Sequence, residues 1–180
     1  QVYKSHVYDF EDTKASVLGD YLPAKLGFEE GERIVSFAVV KEFVGYMIFF
    51  FQNGKAAKVE MKSYETRSNR KRLTGAFSAK DSLVGAFYIE EDREFLLRAT
   101  GGRTLIVHTG AISSKQSRDT QGVAVMSLKK NAVVDAVMPF ESGMLGNEHR
   151  FKTKSLPAAG AIPKAEDLGE QMSLLDGQKE

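Results

Sequence analysis

The residues of this sequence best suited to chemistry are cations. Between residues 52 and 72, Lys55, Lys58, Lys62, Arg67, Arg70, Lys71 and Arg72 face only Glu60 and Glu65. Arg103, Lys115 and Arg118 follow in similarly polar stretches. Ammonium and guanidinium groups gathered on loops neutralise a row of anionic groups by charge, without reading one particular small molecule. Lys129 and Lys130 are weaker candidates, because strand alternation turns at least one of them off such a rim. The acids lie elsewhere: residues 9–32 hold Asp9, Glu11, Asp12, Asp20, Glu29, Glu30 and Glu32 against Lys14 and Lys25. With 25 Lys and Arg against 24 Asp and Glu, the formal charge is only +1, which hides a basic face able to hold a polyanion.

Other groupings offer less. His6, His108 and His149 are far apart, and Glu148-His149 lacks a second His four residues on, so no metal site and no zincin motif is read. Cysteine is absent, which excludes disulfides and thiolate metal ligands. No Gly-rich loop ends in Lys-Ser/Thr, so a bound nucleotide belongs to another subunit, and no serine sits in a nucleophile elbow. Glu90-Glu91-Asp92 reads as a solvated connector, a β-rich enzyme using such acids being the alternative. No catalytic residue is assigned. The richest apolar stretch, residues 44–51, stops at Gln52-Asn53-Gly54, far short of the roughly 20 residues a membrane span needs. The chain starts at Gln1 without a signal-peptide pattern, which fits a cytosolic protein and a piece cut from a longer chain.

The elements that position the cations come from a repeat. Ile48-Phe49-Phe50-Phe51-Gln52-Asn53-Gly54-Lys55-Ala56-Ala57-Lys58-Val59 aligns with Leu96-Leu97-Arg98-Ala99-Thr100-Gly101-Gly102-Arg103-Thr104-Leu105-Ile106-Val107 at an offset of 48. Lys80-Asp81-Ser82-Leu83-Val84 aligns with Lys130-Asn131-Ala132-Val133-Val134 at an offset of 50, and Glu32-Arg33-Ile34-Val35 resembles Asp81-Ser82-Leu83-Val84. A period near 50 residues with several short strands marks a repeat architecture. Asn53-Gly54 and Gly101-Gly102, between runs of Phe, Ile, Leu and Val, are hairpin turns.

Around each hairpin the sequence predicts an earlier strand (34–40; 83–89), a connector (41–45; 90–94), a polar loop (63–72; 113–122) and a last strand (73–77; 123–128). Four strands per unit is the content of a propeller blade. The units fall near 1–30, 31–80 and 81–130, with a closing strand at 131–140 and an irregular C-terminal tail over 141–180. Residues 20–26, with Pro23 near the start, read as a short helical turn. A single irregular sandwich is the alternative fold.

These units resemble the C-terminal repeats of the bacterial gyrase and topoisomerase IV A-subunit family. Gln52-Asn53-Gly54-Lys55-Ala56-Ala57-Lys58-Val59 and Arg118-Asp119-Thr120-Gln121-Gly122-Val123 carry the likeness most closely, and it covers roughly residues 2–140. The resemblance implies an all-β, propeller-like β-pinwheel of four-stranded blades with strands exchanged between neighbours, here an open or partial arc of about three. It also implies sequence-independent binding of duplex DNA, in support of ATP-dependent strand passage by the whole enzyme. ATP and Mg would then belong to the parent enzyme, and this fragment would need no cofactor. Its partners would be duplex DNA, the rest of the A subunit and the ATPase B subunit, in the chromosome-associated cytoplasm, with no membrane. The family's cleavage tyrosine matches none of Tyr3, Tyr8, Tyr21, Tyr46, Tyr64 or Tyr88.

The expected DNA-binding residues are Lys55, Lys58, Lys62, Arg67, Arg70, Lys71, Arg72, Arg103, Lys115 and Arg118. The Gly-rich basic heptad of gyrase-type subunits is absent, which favours a topoisomerase IV-like arm over gyrase-type wrapping. A propeller-like protein–protein scaffold stays open as the alternative. Gln171-Met172-Ser173-Leu174-Leu175 is similar to the short peptides that dock on the bacterial sliding clamp, with a Gln amide as anchor and two leucines for a groove.

Overall fold

The computed structural model describes residues 1–66 and 71–168. Its strands, in chain order, are β1 (Val2–Tyr3), β2 (Tyr46–Phe51), β3 (Lys55–Glu60), β4 (Arg72–Leu73), β5 (Leu83–Ile89), β6 (Glu94–Ala99), β7 (Thr104–His108), β8 (Ser114–Lys115), β9 (Val123–Ala124) and β10 (Val134–Pro139). One short helix, α1 (Leu22–Leu26), has Pro23 in its first turn, as the sequence predicts.

Both expected hairpins form. β2 and β3 pair antiparallel from Tyr46↔Glu60 to Phe50↔Ala56, and β6 and β7 from Glu94↔His108 to Arg98↔Thr104. Gly54, Gly101 and Gly102 take the positive φ that the tight turns require.

Each hairpin then receives strands from further along the chain. β5 lies antiparallel on the outer side of β2, and β10 on that of β6. On β3, β8 pairs parallel at Lys58↔Ser114 and β9 antiparallel at Ala56↔Val123. On β7 the same places are taken by single bridges, parallel at Ile106↔Lys152 and antiparallel at Thr104↔Ala161. Ile106 and Thr104 are Lys58 and Ala56 shifted by the repeat offset of 48. Residues 152–161 therefore do for the second blade what residues 114–123 do for the first.

Period-2 alternation sends successive side chains to opposite faces, and here both faces of both sheets are covered. From β2, Ile48 and Phe50 enter a cluster shared with Phe95, Leu97, Leu105 and Val107 of the second blade, while Phe49 and Phe51 enter another with Val59, Tyr64 and Leu73. Leu96 and Ile106 face a third cluster with Phe140, Leu145 and Phe151. Three cores thus alternate with two sheets. Phe50, Phe87 and Phe95 join the blades, with ring centroids 4.9 to 6.3 Å apart. Two buried faces explain why these strands read as apolar runs instead of alternating.

Residues 141–168 are irregular in backbone and are anchored to the third cluster by Leu145 and Phe151. Leu145 and Phe151 are buried. The buried Asp167 carboxylate accepts from the Lys164 amide at 2.9 Å, from Asn147 Nδ2 at 3.1 Å and from the Arg150 guanidinium, which clips residues 164–168 onto 145–150.

The first third departs from expectation. Residues 34–40 form no strand, and Ile34, Val35, Phe37 and Val39 are exposed. The pairing pattern supplies the reason: β5 and β10 lie on the first strand of the preceding hairpin, and no hairpin precedes residue 34 among the described residues. The expected last strand at 73–77 shrinks to β4, which pairs with β1. Among the described residues, no helix is long and apolar enough to cross a membrane.

Candidate nucleic-acid interface

The eight expected cations among the described residues fall into three groups. Lys62, Lys71, Arg72 and Lys115 are exposed. Lys62 sits on the 3-10 turn Met61–Tyr64 that leaves β3, Lys71 and Arg72 where the chain enters β4, and Lys115 on β8 opposite Val59. Arg67 and Arg70, between Thr66 and Lys71 in the sequence, lie outside the described residues.

Lys55, Arg103 and Arg118 are half-buried. Arg103 Nη1 donates to the Gly160 carbonyl at 2.9 Å, tying the second blade to its outer segment. Arg118 Nη1 donates to the Ser63 carbonyl at 2.7 Å, and its guanidinium lies 5.9 Å from the Tyr64 ring centroid. This pins the loop bearing Lys115 beside the turn bearing Lys62. Burial pushes the Tyr64 hydroxyl up and keeps it a donor, which it uses on the Ala76 carbonyl at 2.7 Å.

Lys58 is placed differently from the expectation. It is 5 % exposed, its ammonium lies 2.6 Å from Asp92 Oδ1, and it stands 4.2 Å from the Tyr46 ring centroid. The cause is what packs on its face of β3: the Tyr46 ring, Asp92 and the Thr109 carbonyl, 3.4 Å from the ammonium, surround it. Asp92 also accepts from Thr109 Oγ1 at 2.7 Å. Burial raises the Asp92 carboxyl, but the bonds from Lys58 and Thr109 outweigh it and hold the group below the ordinary carboxylate range. Of the three acids in the connector, Asp92 is therefore a brace between blades.

An exposed cation outside the ten is Lys80, which with Asn53, Ser78, Asp81 and Gln121 lines a shallow pocket at the tip of the first hairpin. The repeat carried its signal: Lys80 aligns with Lys130, also exposed.

The basic loops have an acidic neighbour. Arg72 Nη1 bonds Glu29 Oε1 at 2.6 Å. Glu32 accepts from the Tyr3 hydroxyl and from the Glu29 amide, the latter at 2.7 Å, and these bonds lower its carboxyl. The acidic stretch of the sequence is folded beside Lys71 and Arg72. Among the described residues, no group of three His, Cys, Asp or Glu could hold a metal ion.

No family model and no curated protein matches the chain. Solved structures do. The C-terminal domain of DNA topoisomerase IV is similar over 89 % of this chain and 56 % of its own, with a TM-score of 0.71 at 21 % identity. The C-terminal domain of DNA gyrase A is similar over 82 % of this chain and 55 % of its own, with a TM-score of 0.59 at 16 % identity. The chain is a β-pinwheel. It spans a little over half the length of either solved domain. β5 pairs with β2 and β10 with β6, each strand lying on the hairpin that precedes it in the chain. Among the described residues the pinwheel has two hairpin-based blades plus the β1–β4 pair, and no closed barrel.

Proposed function

We propose that this β-pinwheel is a DNA-holding arm, which binds duplex DNA through phosphate contacts and without sequence preference. One observation carries the reading: Lys62 on the turn after β3, Lys71 and Arg72 at the entry to β4, and Lys115 on β8 all reach solvent. Arg67 and Arg70 are adjacent in sequence to that group. Exposed cations spread over several elements suit an extended polyanion better than one small ligand, and counterion release supplies the affinity. Lys58 has no part in it, and Arg103 and Arg118 act first as struts.

The similarity to C-terminal domains of DNA topoisomerase IV and DNA gyrase A supports a place in the A subunit of a type IIA topoisomerase. Cleavage, ATP and Mg then belong to other parts of that enzyme, and the arm positions DNA for strand passage in the cytoplasm. The absent Gly-rich basic heptad favours the topoisomerase IV type over the gyrase type. The sliding-clamp peptide at Gln171-Met172-Ser173-Leu174-Leu175 lies outside the described residues.

Fluorescence anisotropy on plain duplex DNA across a salt series tests the proposal. The wild-type chain should bind with a steep negative slope of log affinity against log salt. Changing Lys62, Lys71 and Lys115 together to Ala should flatten the slope by about 2 to 3, at roughly 0.9 per lost phosphate contact. An unchanged slope would remove these cations from the interface, and no binding at moderate salt would favour a protein–protein scaffold.

A further inference from the structure

The apolar residues exposed at 34–40 have counterparts that are paired. Both exchanged strands meet their hairpins in one way: each pairing has a bulge at its entry, and beside it Gln52 N donates to the Ser82 carbonyl at 2.9 Å and Thr100 N to the Val133 carbonyl at 2.8 Å. Residues 34–40 precede β2 as β5 precedes β6. The connectors that follow are anchored alike, by Met61 N on the Gly45 carbonyl and Thr109 N on the Arg93 carbonyl, both at 2.9 Å. Val40 and Phe43 already pack on the cluster beside β2. Upstream of them Ile34, Val35, Phe37 and Val39 are 49, 64, 72 and 63 % exposed.

A second relation points to the same place. β4 pairs with β1 as β9 pairs with β3, in two-residue antiparallel ladders: Tyr3↔Arg72 and Val2↔Leu73 against Ala56↔Val123 and Lys55↔Ala124. A 3-10 turn follows β1 (Val7–Asp9), as it follows β3 (Met61–Tyr64) and β7 (Thr109–Ala111). β1 is thus built like the second strand of a hairpin, and among the described residues its other edge is unpaired.

We infer that residues 34–40 are an exchanged strand whose acceptor is the first strand of a β-hairpin N-terminal to Gln1 in the parent polypeptide, lying between β1 and residues 34–40 and antiparallel to both. Its chemistry is that of β2 and β6: five or six residues apolar on both faces, then a tight turn into Val2. In a second copy of this chain neither described hairpin offers a first strand with a free edge, because β2 lies between β5 and β3, and β6 between β10 and β7. The inference stands apart from the DNA reading.

Hydrogen exchange on two chains tests it: residues 1–180, and the same chain with the sequence of residues 93–102 placed directly ahead of Val2. Pairing should slow the amides of 34–40 by roughly 100-fold or more in the extended chain, at any protein concentration. Phe37→Asp in the extended chain should restore fast exchange there, while the amides of β2 and β6 stay protected and report an intact fold. The uninterrupted parent polypeptide gives a second measurement, with 34–40 protected to the level of β5. Equal exchange of 34–40 in the parent and in the isolated chain would overturn the inference. Protection of the isolated chain that rises with its concentration would also overturn it, by assigning the strand to a second copy.

Discussion

Arg72 and Glu29 stand 2.6 Å apart, Nη1 to Oε1, across 43 residues of sequence. The contact brings the acidic N-terminal stretch against the basic loop entering β4. A carboxylate there competes with phosphate for the same guanidinium.

Glu29→Gln should therefore tighten duplex DNA binding, by roughly two- to fivefold at low salt, with the gain fading at high salt as screening removes it. The melting temperature should stay close to that of the wild type, because an exposed pair contributes little to stability. Anisotropy titrations at two salt concentrations, with a thermal melt, check both parts. Weaker binding by Glu29→Gln would mean that the pair holds Arg72 in its binding pose.

Lys58→Met should behave in the opposite way. It leaves Asp92 without its ammonium partner beside a packed sheet, and should cost about 1–3 kcal/mol in chemical denaturation, discounted because Asp92 is 35 % exposed. DNA affinity should change by less than about twofold, since Lys58 contacts no solvent-side phosphate. A large loss of affinity with unchanged stability would return Lys58 to the interface.

Asp167 gives a pH signature. The Lys164 amide holds its carboxylate form, burial opposes this, and Asn147 and Arg150 add to the net lowering, to about 2 from a usual 3.8. A depressed folded-state pKa contributes stability that is full above about pH 4 and is lost as pH falls from 3.8 towards 2. Asp167→Asn should lower stability at pH 7 and flatten the acid limb in that window. Denaturant midpoints at pH 7, 4 and 2.5 check it; parallel acid limbs for variant and wild type would exclude Asp167 as the source.

Gly122 and Gly160 offer a paired test of the repeat. A Cβ on Gly122 would overlap the Ala56 carbonyl, and one on Gly160 the Thr104 carbonyl, at positions of β3 and β7 that correspond through the offset of 48. Both residues also hold positive φ, +70 and +66. Either change to Ala should cost more than about 1 kcal/mol by combined overlap and backbone strain. A neutral Gly160→Ala would show that residues 152–161 are not a structural counterpart of 114–123.

The hairpins were legible because their signals are local. Asn53-Gly54 and Gly101-Gly102 between apolar runs set both turn and register, and the offset between them exposed the repeat. Exposed loop cations were legible for the same reason: Lys62, Lys71, Arg72 and Lys115 sit on polar stretches beside turns. The burial of Lys58 was not legible because it depends on what packs on its face of the sheet, and Asp92 and Thr109 come from 34 and 51 residues further on. Residues 34–40 read as a strand because their alternation is real, yet a strand needs an edge to pair with.

The sequence by itself determined the β class, the two hairpins and the repeat, since turn chemistry and strand periodicity act over a few residues. Only the tertiary structure decided the rest: that residues 145–168 pack as part of the second blade, that Lys58 and Asp92 brace the two blades, and that Glu29 lies on Arg72. Those contacts join residues 17 to 58 positions apart, and nothing in a local stretch specifies them. They follow from which strands are exchanged between blades.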